Sequence, residues 1–422
     1  MMVHHRPSDD AAPVARHLHR WGHAVLRQGA ASEPWRALDG LLNRLDALLR
    51  PLCPGAPPGL FAALSGLAPE PARVFFKCLV KTIVCNSDEA TSLALSPRMC
   101  AVAQQYLDSK ELYFENGSLR LHLCRDKLEV LDFHVDSAKG SDLPLLNCWL
   151  PMNRVLPGQE IRMVSLSHRI GHRGRQMFEA LPDRLKWLLS SGRTDYELGD
   201  VHLWSGDTEH GRVLNCHPEA AIAMVFRYAA RPLNSDRCEV DRAISDAQAV
   251  GSTAMTRELD ELMTTLVPEA VELIRSKPEF SPVDCLQLVR SEHLTAHPSI
   301  CRQLVLCLIY YFDRAGLGRR VIAGDGAAQP ERPYWPEYMI EMYLLAAWCY
   351  FQQGMPDRAQ PILTETVRRS PADEALLDKV VSLRSPALVE AMIQVHAALG
   401  MIDRSTRFAS LRAQSSEARN PP

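Results

Sequence analysis

The spacing of apolar residues changes twice along this chain of 422 residues. Between about residues 12 and 110, Leu, Val, Phe and Trp recur every three or four positions, which is typical of amphipathic helices. Helices are predicted over residues 14–26, 34–52, 60–67 and 73–84. The first of them has His17, His19 and His23 among arginines, and we interpret these histidines as part of a solvated helix face rather than as metal ligands.

From residue 112 the apolar period becomes two, which indicates β-strands. Asn116-Gly117 stands between two alternating runs and predicts a hairpin turn. Further strands are predicted over residues 127–134, 145–150 and 220–228. Seven or eight strands are therefore expected before Tyr228, which is enough for a double-sheet jelly roll.

Helical spacing returns after a polar stretch that begins near residue 232. Ser281-Pro-Val-Asp284 has the residues of a capped helix start. Residues 304–312 are apolar all round, which predicts a buried helix.

Residues 340–371 resemble one tetratricopeptide repeat, a pair of antiparallel helices. The matching positions are Tyr343, Ala347, Tyr350, Gly354, Ala359, Leu363 and Pro371. Residues 387–408 are a weaker echo of the same pattern. One and a half repeats cannot form a long solenoid, because each unit needs neighbours to cover its apolar sides. We interpret the region as a helical cap, with a surface for a protein partner or a homodimer as the alternative.

These patterns predict an α+β chain with a double-stranded β-helix (jelly-roll) core, N-terminal helices and a C-terminal all-α domain. The expected segments are a disordered start (1–11), a helical layer packed on the barrel (12–110), the catalytic core (111–232), a linker (233–255), an α-helical domain (256–403) and a frayed tail (404–422).

The composition of the chain limits its possible partners and cellular location. The net charge of −3 offers no basic surface for nucleic acid. Twelve cysteines never form Cys-x-x-Cys, so they are expected to be reduced core residues rather than a disulfide framework or a zinc site. The first ten residues lack the apolar core of a signal peptide, and the longest apolar run, 304–312, is about half a membrane span. We expect a soluble, cytoplasmic protein that binds neither membrane nor nucleic acid.

A candidate metal site lies in the strand-rich stretch. His134 and Asp136 are two apart on a predicted strand, so both side chains leave the same face. His210 is the candidate third ligand. Two imidazoles and one carboxylate leave open positions on the metal, an arrangement that suits a non-haem Fe(II) oxygenase.

Four motifs around these residues carry a family resemblance. Residues 133–137, 144–153, 164–172 and 199–211, in this order, resemble the phytanoyl-CoA dioxygenase-like branch of the Fe(II)/2-oxoglutarate-dependent oxygenases. The resemblance covers roughly residues 110–232. It implies that His134, Asp136 and His210 bind Fe(2+), that 2-oxoglutarate is the co-substrate and that O2 is the oxidant. Related halogenases have a small residue where this chain has Asp136, so the implied reaction is hydroxylation.

The distal carboxylate of 2-oxoglutarate requires a planar, bidentate cation. In many relatives this arginine lies about eleven residues after the distal histidine, but here that position is Ala221. Arg227, six residues further and on the same strand face, is the first choice, with Arg212 and Arg125 as alternatives. Asn147 and Trp149 are further candidates to line the site, and Trp149 is equally well interpreted as a packed core aromatic.

Residues 162–175 are rich in cations. They are either a lid that grips an anionic group of the substrate or a solvated basic loop. The histidines of this region, with His202 and His217, lack the spacing from a carboxylate that His134 has, and are not expected to be ligands.

The sequence thus predicts a hydroxylase that acts on an unactivated C–H bond of a small metabolite, such as an amino acid or a natural-product intermediate. One alternative is a hydroxylase whose protein-bound or carrier-bound substrate is held by the helical domain. The other is a catalytically inactive barrel that serves as a protein-interaction module. A fold does not name a substrate.

Overall fold

The computed structural model describes residues 4–5, 11–68, 70–129, 131–136, 144–170, 176–230, 256–277, 279–315, 335–370, 385–398 and the single residues 401, 406, 409 and 410. The chain divides into two compact units. The first comprises residues 1–68, 79–236 and 249–276, and the second comprises residues 69–78, 237–248 and 277–422.

The helices of the described residues are α1 (Ala11–Trp21), α2 (Ser32–Leu49), α3 (Ala62–Ser65), α4 (Glu70–Cys85), α5 (Asp88–Ala94), α6 (Pro97–Leu107), α7 (Asp183–Leu189), α8 (Thr256–Thr264), α9 (Leu266–Ser276), α10 (Pro282–Val289), α11 (Glu292–Thr295), α12 (Pro298–Arg314), α13 (Glu337–Gln352), α14 (Pro356–Arg369) and α15 (Pro386–Ala398). Within the described residues, none of them is both long enough and apolar enough to cross a bilayer.

The strands are β1 (His4–His5), β2 (His23–Leu26), β3 (Tyr113–His122), β4 (Leu131–His134), β5 (Leu145–Pro151), β6 (Arg162–Met163), β7 (Ser191–Gly192), β8 (Val201–Ser205), β9 (His210–Arg212) and β10 (Ala221–Ala229). They form a six-stranded sheet in the order β1-β2-β8-β5-β10-β3 and a four-stranded sheet in the order β4-β9-β6-β7. All pairings are antiparallel except that of β1 with β2.

The two sheets are joined by a shared core. Trp149, Trp204 and Ala223 from the larger sheet pack with Met163 from the smaller one, together with Val155 and Ile161 of the connection between β5 and β6. Side chains that alternate along each strand therefore point either into this space or away from it. The larger sheet also contacts helix α6 through β5 and helix α5 through β3.

The first predicted helix is wrong in its second half. Helix α1 ends at Trp21, Gly22 has a positive φ of 86°, and residues 23–26 form the buried strand β2 against β8. A β-carbon at Gly22 would lie 2.5 Å from Nδ1 of His168, so glycine is required there. The interpretation of the histidines as a solvated face fails with it, because His17 and His23 are buried and only His19 is exposed.

The predicted hairpin at Asn116-Gly117 is also wrong. Strand β3 runs through both residues and pairs with β10 from end to end, and the register shift between Arg227 and Tyr228 is a bulge that leaves one extra residue in β3. A nine-residue partner strand thus overrides the local turn preference. The strand predicted over 127–134 is shorter than expected, because residues 127–129 form a 3-10 turn before β4.

Several sequence predictions are confirmed. Strands β5 and β10 lie where they were predicted, and α10 begins with a capping box between Ser281 and Asp284. Residues 304–312 lie within the largely buried helix α12. The cysteines of the described residues are free, and most are buried.

The second unit contains a helical hairpin at the proposed repeat. Helices α13 and α14 pack on one another, and Gly354, with a φ of 69°, lies in the turn between them. Tyr343, Ala347, Tyr350 and the matching residues of α14 are buried. Residues 387–398 of the second, weaker echo lie in helix α15, whereas Pro371 lies outside the described residues. Helices α8 and α9 belong to the first unit, where α9 packs against α2.

Candidate metal centre

Strand pairing brings the three predicted ligands together. His134 at the end of β4 lies opposite His210 at the start of β9, with ring centroids 4.4 Å apart. Asp136 follows β4, where its backbone N–H donates to the carbonyl of Gly206 at 2.9 Å. One ligand atom from each of the three side chains lies within 4.8 Å of the other two.

Backbone carbonyls hold both imidazoles in the orientation of a metal ligand. Nδ1 of His134 lies 2.7 Å from the carbonyl oxygen of Asp132, and Nδ1 of His210 lies 2.9 Å from that of Thr208. A carbonyl only accepts, so each Nδ1 has a proton, and the Nε2 of a neutral imidazole in this orientation presents a lone pair. Such a second hydrogen bond is typical of metal-bound histidines.

The lone pairs converge on a carboxylate. Nε2 of His210 lies 3.3 Å from Oδ2 of Asp136, and Nε2 of His134 lies 3.9 Å from Oδ1. Burial lowers the pKa of His210 to about 4, although the carboxylate of Asp136 opposes this effect, so the imidazole is neutral near pH 7. Two acceptors 3.3 Å apart without a proton between them repel one another. A cation among the three ligand atoms removes that repulsion.

Arg227 lies next to the same carboxylate. Its Nη2 is 2.9 Å from Oδ1 of Asp136, and its Nε donates to Oδ1 of Asn147 at 2.9 Å. Asn147 and Arg227 are opposite one another on β5 and β10. Burial raises the pKa of Asp136, but Arg227, His210 and His134 more than offset this and hold it well below its usual range. The carboxylate is therefore ionised, as a ligand must be.

The space between the sheets contains buried donors without partners. Among the described residues, Nδ2 of Asn147, Nε1 of Trp149, Nε1 of Trp204, and Nε and Nη1 of Arg212 have no hydrogen bond. An unpaired buried donor costs roughly 1–3 kcal/mol, so a cluster of them indicates a ligand that accepts hydrogen bonds. All five atoms are donors, which points to an anion.

Contacts and register place these donors around the triad. The Trp204 ring lies 5.1 Å from that of His210, and Trp204 is opposite Asn147 in the larger sheet. The Arg212 guanidinium lies 6.0 Å from the Trp149 ring centroid. Arg212 is two residues beyond His210 on β9 and shares its face. Burial lowers the pKa of Arg212 to about 10 despite the opposing charge of Glu129, so it remains a cation near pH 7.

The triad has an open side and a closed side. The side chains of His134, Asp136 and Arg227 are 39%, 17% and 15% exposed. Those of His210 and Arg212 are almost completely buried, at 3% and 2%. A ligand can therefore approach past His134, whereas the region around Arg212 is enclosed.

The structure does not bring Arg125 to this site. Its side chain is exposed in the turn after β3, and its backbone N–H donates to the carbonyl of Asn215 at 2.7 Å. Within the described residues it has no contact with the triad. The other two candidate arginines, Arg212 and Arg227, both reach the interior.

The described part of the basic segment is tied to the protein itself. Nε of Arg162 donates to the hydroxyl of Ser190 at 2.9 Å, and Arg169 and His168 both bond to the carbonyl of His19. These contacts hold the first part of the segment against the protein, and the choice between a lid and a solvated basic loop stays a prediction. His172, Arg173 and Arg175 lie outside the described residues.

A second group of buried histidines borders the site. His23 and His202 lie with ring centroids 5.7 Å apart, and they bond to the hydroxyls of Ser165 and Tyr196 at 2.8 and 2.7 Å. Burial lowers the pKa of His23 to about 4 and that of His202 well below its usual range. The sequence did not indicate this group, because strand β2 was predicted as helix. Trp204 was also missed, although it lies two residues after His202 on β8 and shares its strand face.

Comparisons with known proteins identify no family for this chain. No family model matches it, and no curated protein matches it. Among solved structures, the non-heme alpha ketoglutarate dependent epimerase SnoN from nogalamycin biosynthesis is 18% identical with a TM-score of 0.36, over 52% of this chain and 82% of its own. EvdO2 from Micromonospora carbonacea var. aurantiaca, complexed with 2-oxoglutarate, is 17% identical with a TM-score of 0.35, over 53% of this chain and 93% of its own.

A third solved structure is that of AviO1 from Streptomyces viridochromogenes, which is 16% identical with a TM-score of 0.37, over 54% of this chain and 99% of its own. Similarity at this level does not transfer a function. The functional assignment therefore depends on the residues of the site.

Proposed function

We propose that this protein is an Fe(II)/2-oxoglutarate-dependent oxygenase that hydroxylates an unactivated C–H bond of a small metabolite. The observation that supports it best is the triad of His134, Asp136 and His210. Both imidazoles direct Nε2 toward an ionised carboxylate, with ligand atoms within 4.8 Å of one another. Two histidines and one carboxylate with open positions suit non-haem Fe(II).

The surroundings favour an oxygenase over a zinc hydrolase with the same ligands. A hydrolase of this type needs a general base beside the metal-bound water. Here the charged group in contact with Asp136 is the cation Arg227, and the enclosed side contains a cluster of donors without partners among the described residues. That environment suits a bound dicarboxylate, which is what 2-oxoglutarate is.

Two guanidinium groups are candidates for the distal carboxylate of 2-oxoglutarate. The sequence favours Arg227, but burial favours Arg212. Arg212 lies in the enclosed region, remains charged and has two unpaired N–H groups that a carboxylate would accept from. Arg227 already bonds to Asp136 and Asn147. We therefore assign the distal carboxylate to Arg212, with the indole N–H of Trp149 beside it.

With Fe(II) and 2-oxoglutarate bound, the centre would supply oxidative decarboxylation of 2-oxoglutarate to succinate and CO2, with one oxygen atom of O2 entering succinate and the other entering a C–H bond of the substrate. The protein's own residues would position the reactants. His134, Asp136 and His210 would hold the metal, and the core of Trp149, Trp204 and Met163 excludes water from the enclosed side.

The finer assignments are part of this proposal. Two facing antiparallel sheets are consistent with a double-stranded β-helix of the phytanoyl-CoA dioxygenase-like type. The helical hairpin of α13 and α14 is proposed to be tetratricopeptide-like, either a cap or a surface for a protein partner or a homodimer. If it held a carrier-bound substrate, the enzyme would act on a macromolecule instead.

The first experiment is anaerobic titration of the Fe(II)-loaded protein with 2-oxoglutarate, monitored by the weak visible band of the chelate. We expect the band in wild type and in Arg125→Gln, and its absence in His134→Ala. In Arg212→Gln, half-saturation should require at least about tenfold more 2-oxoglutarate, because a charge-assisted hydrogen bond is lost. No band in folded, iron-supplied wild type would reject the oxygenase and favour an inactive barrel.

A further inference from the structure

Arg212 and Arg227 differ in how accessible their guanidinium groups are to a ligand. Arg212 is enclosed beside the closed side of the triad. The side chain of Arg227 is 15% exposed and lies on the open side, where the neighbouring His134 is 39% exposed. If the co-substrate binds first, it occupies the closed side. The substrate, which binds later, then approaches the open side.

The guanidinium of Arg227 is held in place by hydrogen bonds but is not fully buried. Its Nε is fixed by Oδ1 of Asn147, which sets the plane of the guanidinium, and its Nη2 contacts Oδ1 of Asp136. Its remaining Nη1 is not among the buried donors that lack a partner in the described residues. Once a metal shares the charge of Asp136, the pairing of Arg227 with that carboxylate weakens, and the outer edge of the guanidinium becomes available to another anion.

We propose that Arg227 recognises a carboxylate group of the substrate, and that the substrate is a small acid oxidised close to that carboxylate. This inference rests on the proposed function and assigns its substrate class. Arg227 touches the metal ligand Asp136, so an anion on Arg227 lies beside the metal's open side. The C–H bond within reach is then only a few bonds from the carboxylate carbon.

The charges around Arg227 favour a carboxylate over a phosphate. A planar carboxylate matches the fork of a guanidinium. A phosphate with close to two negative charges would be placed against the ionised Asp136, where Arg227 is the cation in contact and Arg120 acts as the weakest of the favourable charges. Repulsion between like charges at this distance opposes such binding.

The test uses the full chain, saturated with 2-oxoglutarate and loaded with Mn(II). Mn(II) is paramagnetic and redox-silent. The probes are butanoate, 2-methylpropanoate and phenylacetate, each compared with its neutral amide. Line broadening of the probes in proton NMR reports binding near the metal. We expect broadening of at least one acid and not of its amide. Binding should be at least about tenfold weaker in Arg227→Gln and unchanged in Arg125→Gln.

The outcomes separate this inference from the proposed function. If wild type forms no Fe(II) chelate with 2-oxoglutarate, the proposed function fails and this inference falls with it. If the chelate forms but Arg227→Gln loses it, Arg227 binds the co-substrate and the inference is wrong. It is equally wrong if the chelate forms and no acid broadens, if acid and amide broaden alike, or if Arg227→Gln binds the acid as well as wild type.

Discussion

Asp284 and Asp136 are both largely buried and ionised, and they do opposite things. Asp284, in the second unit, is 3% exposed and completes the capping box at the start of α10, where it accepts from the backbone N–H and the hydroxyl of Ser281 and pairs with Lys277. Asp136, in the first unit, follows β4 and contacts Arg227, His210 and His134. Burial raises the pKa of both carboxyls, and their partners outweigh it.

The difference lies in what remains unsatisfied. The partners of Asp284 are three and seven residues away, and all of them donate hydrogen bonds to it. Asp136 faces Nε2 of two imidazoles whose Nδ1 protons are held by backbone carbonyls, and the interior beside it contains donors without partners among the described residues. A buried charge whose partners all complement it stabilises the fold. A buried charge among groups that only an added cation and anion would complement indicates a binding site.

The largest effect should come from removing each of the two aspartates in turn. Asp136→Ala removes a ligand, and Mn(II) affinity should fall by more than the roughly 10- to 100-fold that loss of an outer hydrogen-bond partner costs. Asp284→Ala should leave Mn(II) affinity unchanged and lower the free energy of unfolding by about 1–2 kcal/mol, because a helix cap is lost. Electron paramagnetic resonance titration and urea unfolding measure the two quantities. A similar loss of Mn(II) affinity in both variants would remove the distinction.

His23 is a third buried ionisable group, and unlike the two aspartates it should destabilise the fold when it is charged. His23 is 2% exposed, and burial, aided by the positive charge of His17 and His168 when protonated, lowers its pKa from 6.5 to about 4. The folded protein therefore binds this proton more weakly than the unfolded chain does. The stability that neutral His23 contributes is complete above pH 6.5 and is lost as pH falls toward 4, by about 3 kcal/mol at most.

Urea unfolding at several pH values between 7 and 4 measures this slope. His23→Gln should flatten it, whereas the same change at the exposed His19 should not. Because His202 also has a lowered pKa, some slope should remain in His23→Gln. An unchanged slope in that variant would show that His23 is not the group that titrates.

The smallest expected effect is that of removing one of the unpaired donors, and it tests whether that donor binds 2-oxoglutarate. Trp204→Phe removes one indole N–H and keeps the aromatic ring. If that donor serves 2-oxoglutarate, the affinity for the co-substrate should fall about three- to tenfold, as for one hydrogen bond. Trp35→Phe is the matched control, because Nε1 of Trp35, on α2, is also buried without a partner among the described residues. Equal affinities in both variants would mean that Trp204 only packs.

Part of the site was predictable because its residues are close in the chain. His134 and Asp136 are two apart after a run of strand-like residues, so they leave the same side whatever the rest of the chain does. Arg212 was named as an alternative for the co-substrate. The signal in its favour, a position two residues beyond His210 on a strand, was available in the sequence, but its burial was not.

The errors share one cause. Residues 23–26 have helical spacing, and Asn116-Gly117 is a good turn by composition, yet both lie in strands. Each is held there by a partner strand far along the chain, β8 for the first and β10 for the second. Local preferences amount to about 1 kcal/mol per residue, and pairing within a buried sheet outweighs them.

Local patterns in the sequence were enough to predict the order of helices and strands over most of the described chain, the cap of α10 and the ligand pair of His134 with Asp136. These depend on apolar period, on cap residues and on strand alternation, which act over a few positions. The folded structure was needed to show that His210 lies opposite His134, that Arg212 is enclosed and Arg227 open, and that donors between the sheets lack partners among the described residues. Those facts depend on sheet register and burial, which join residues up to about ninety positions apart and leave no local pattern.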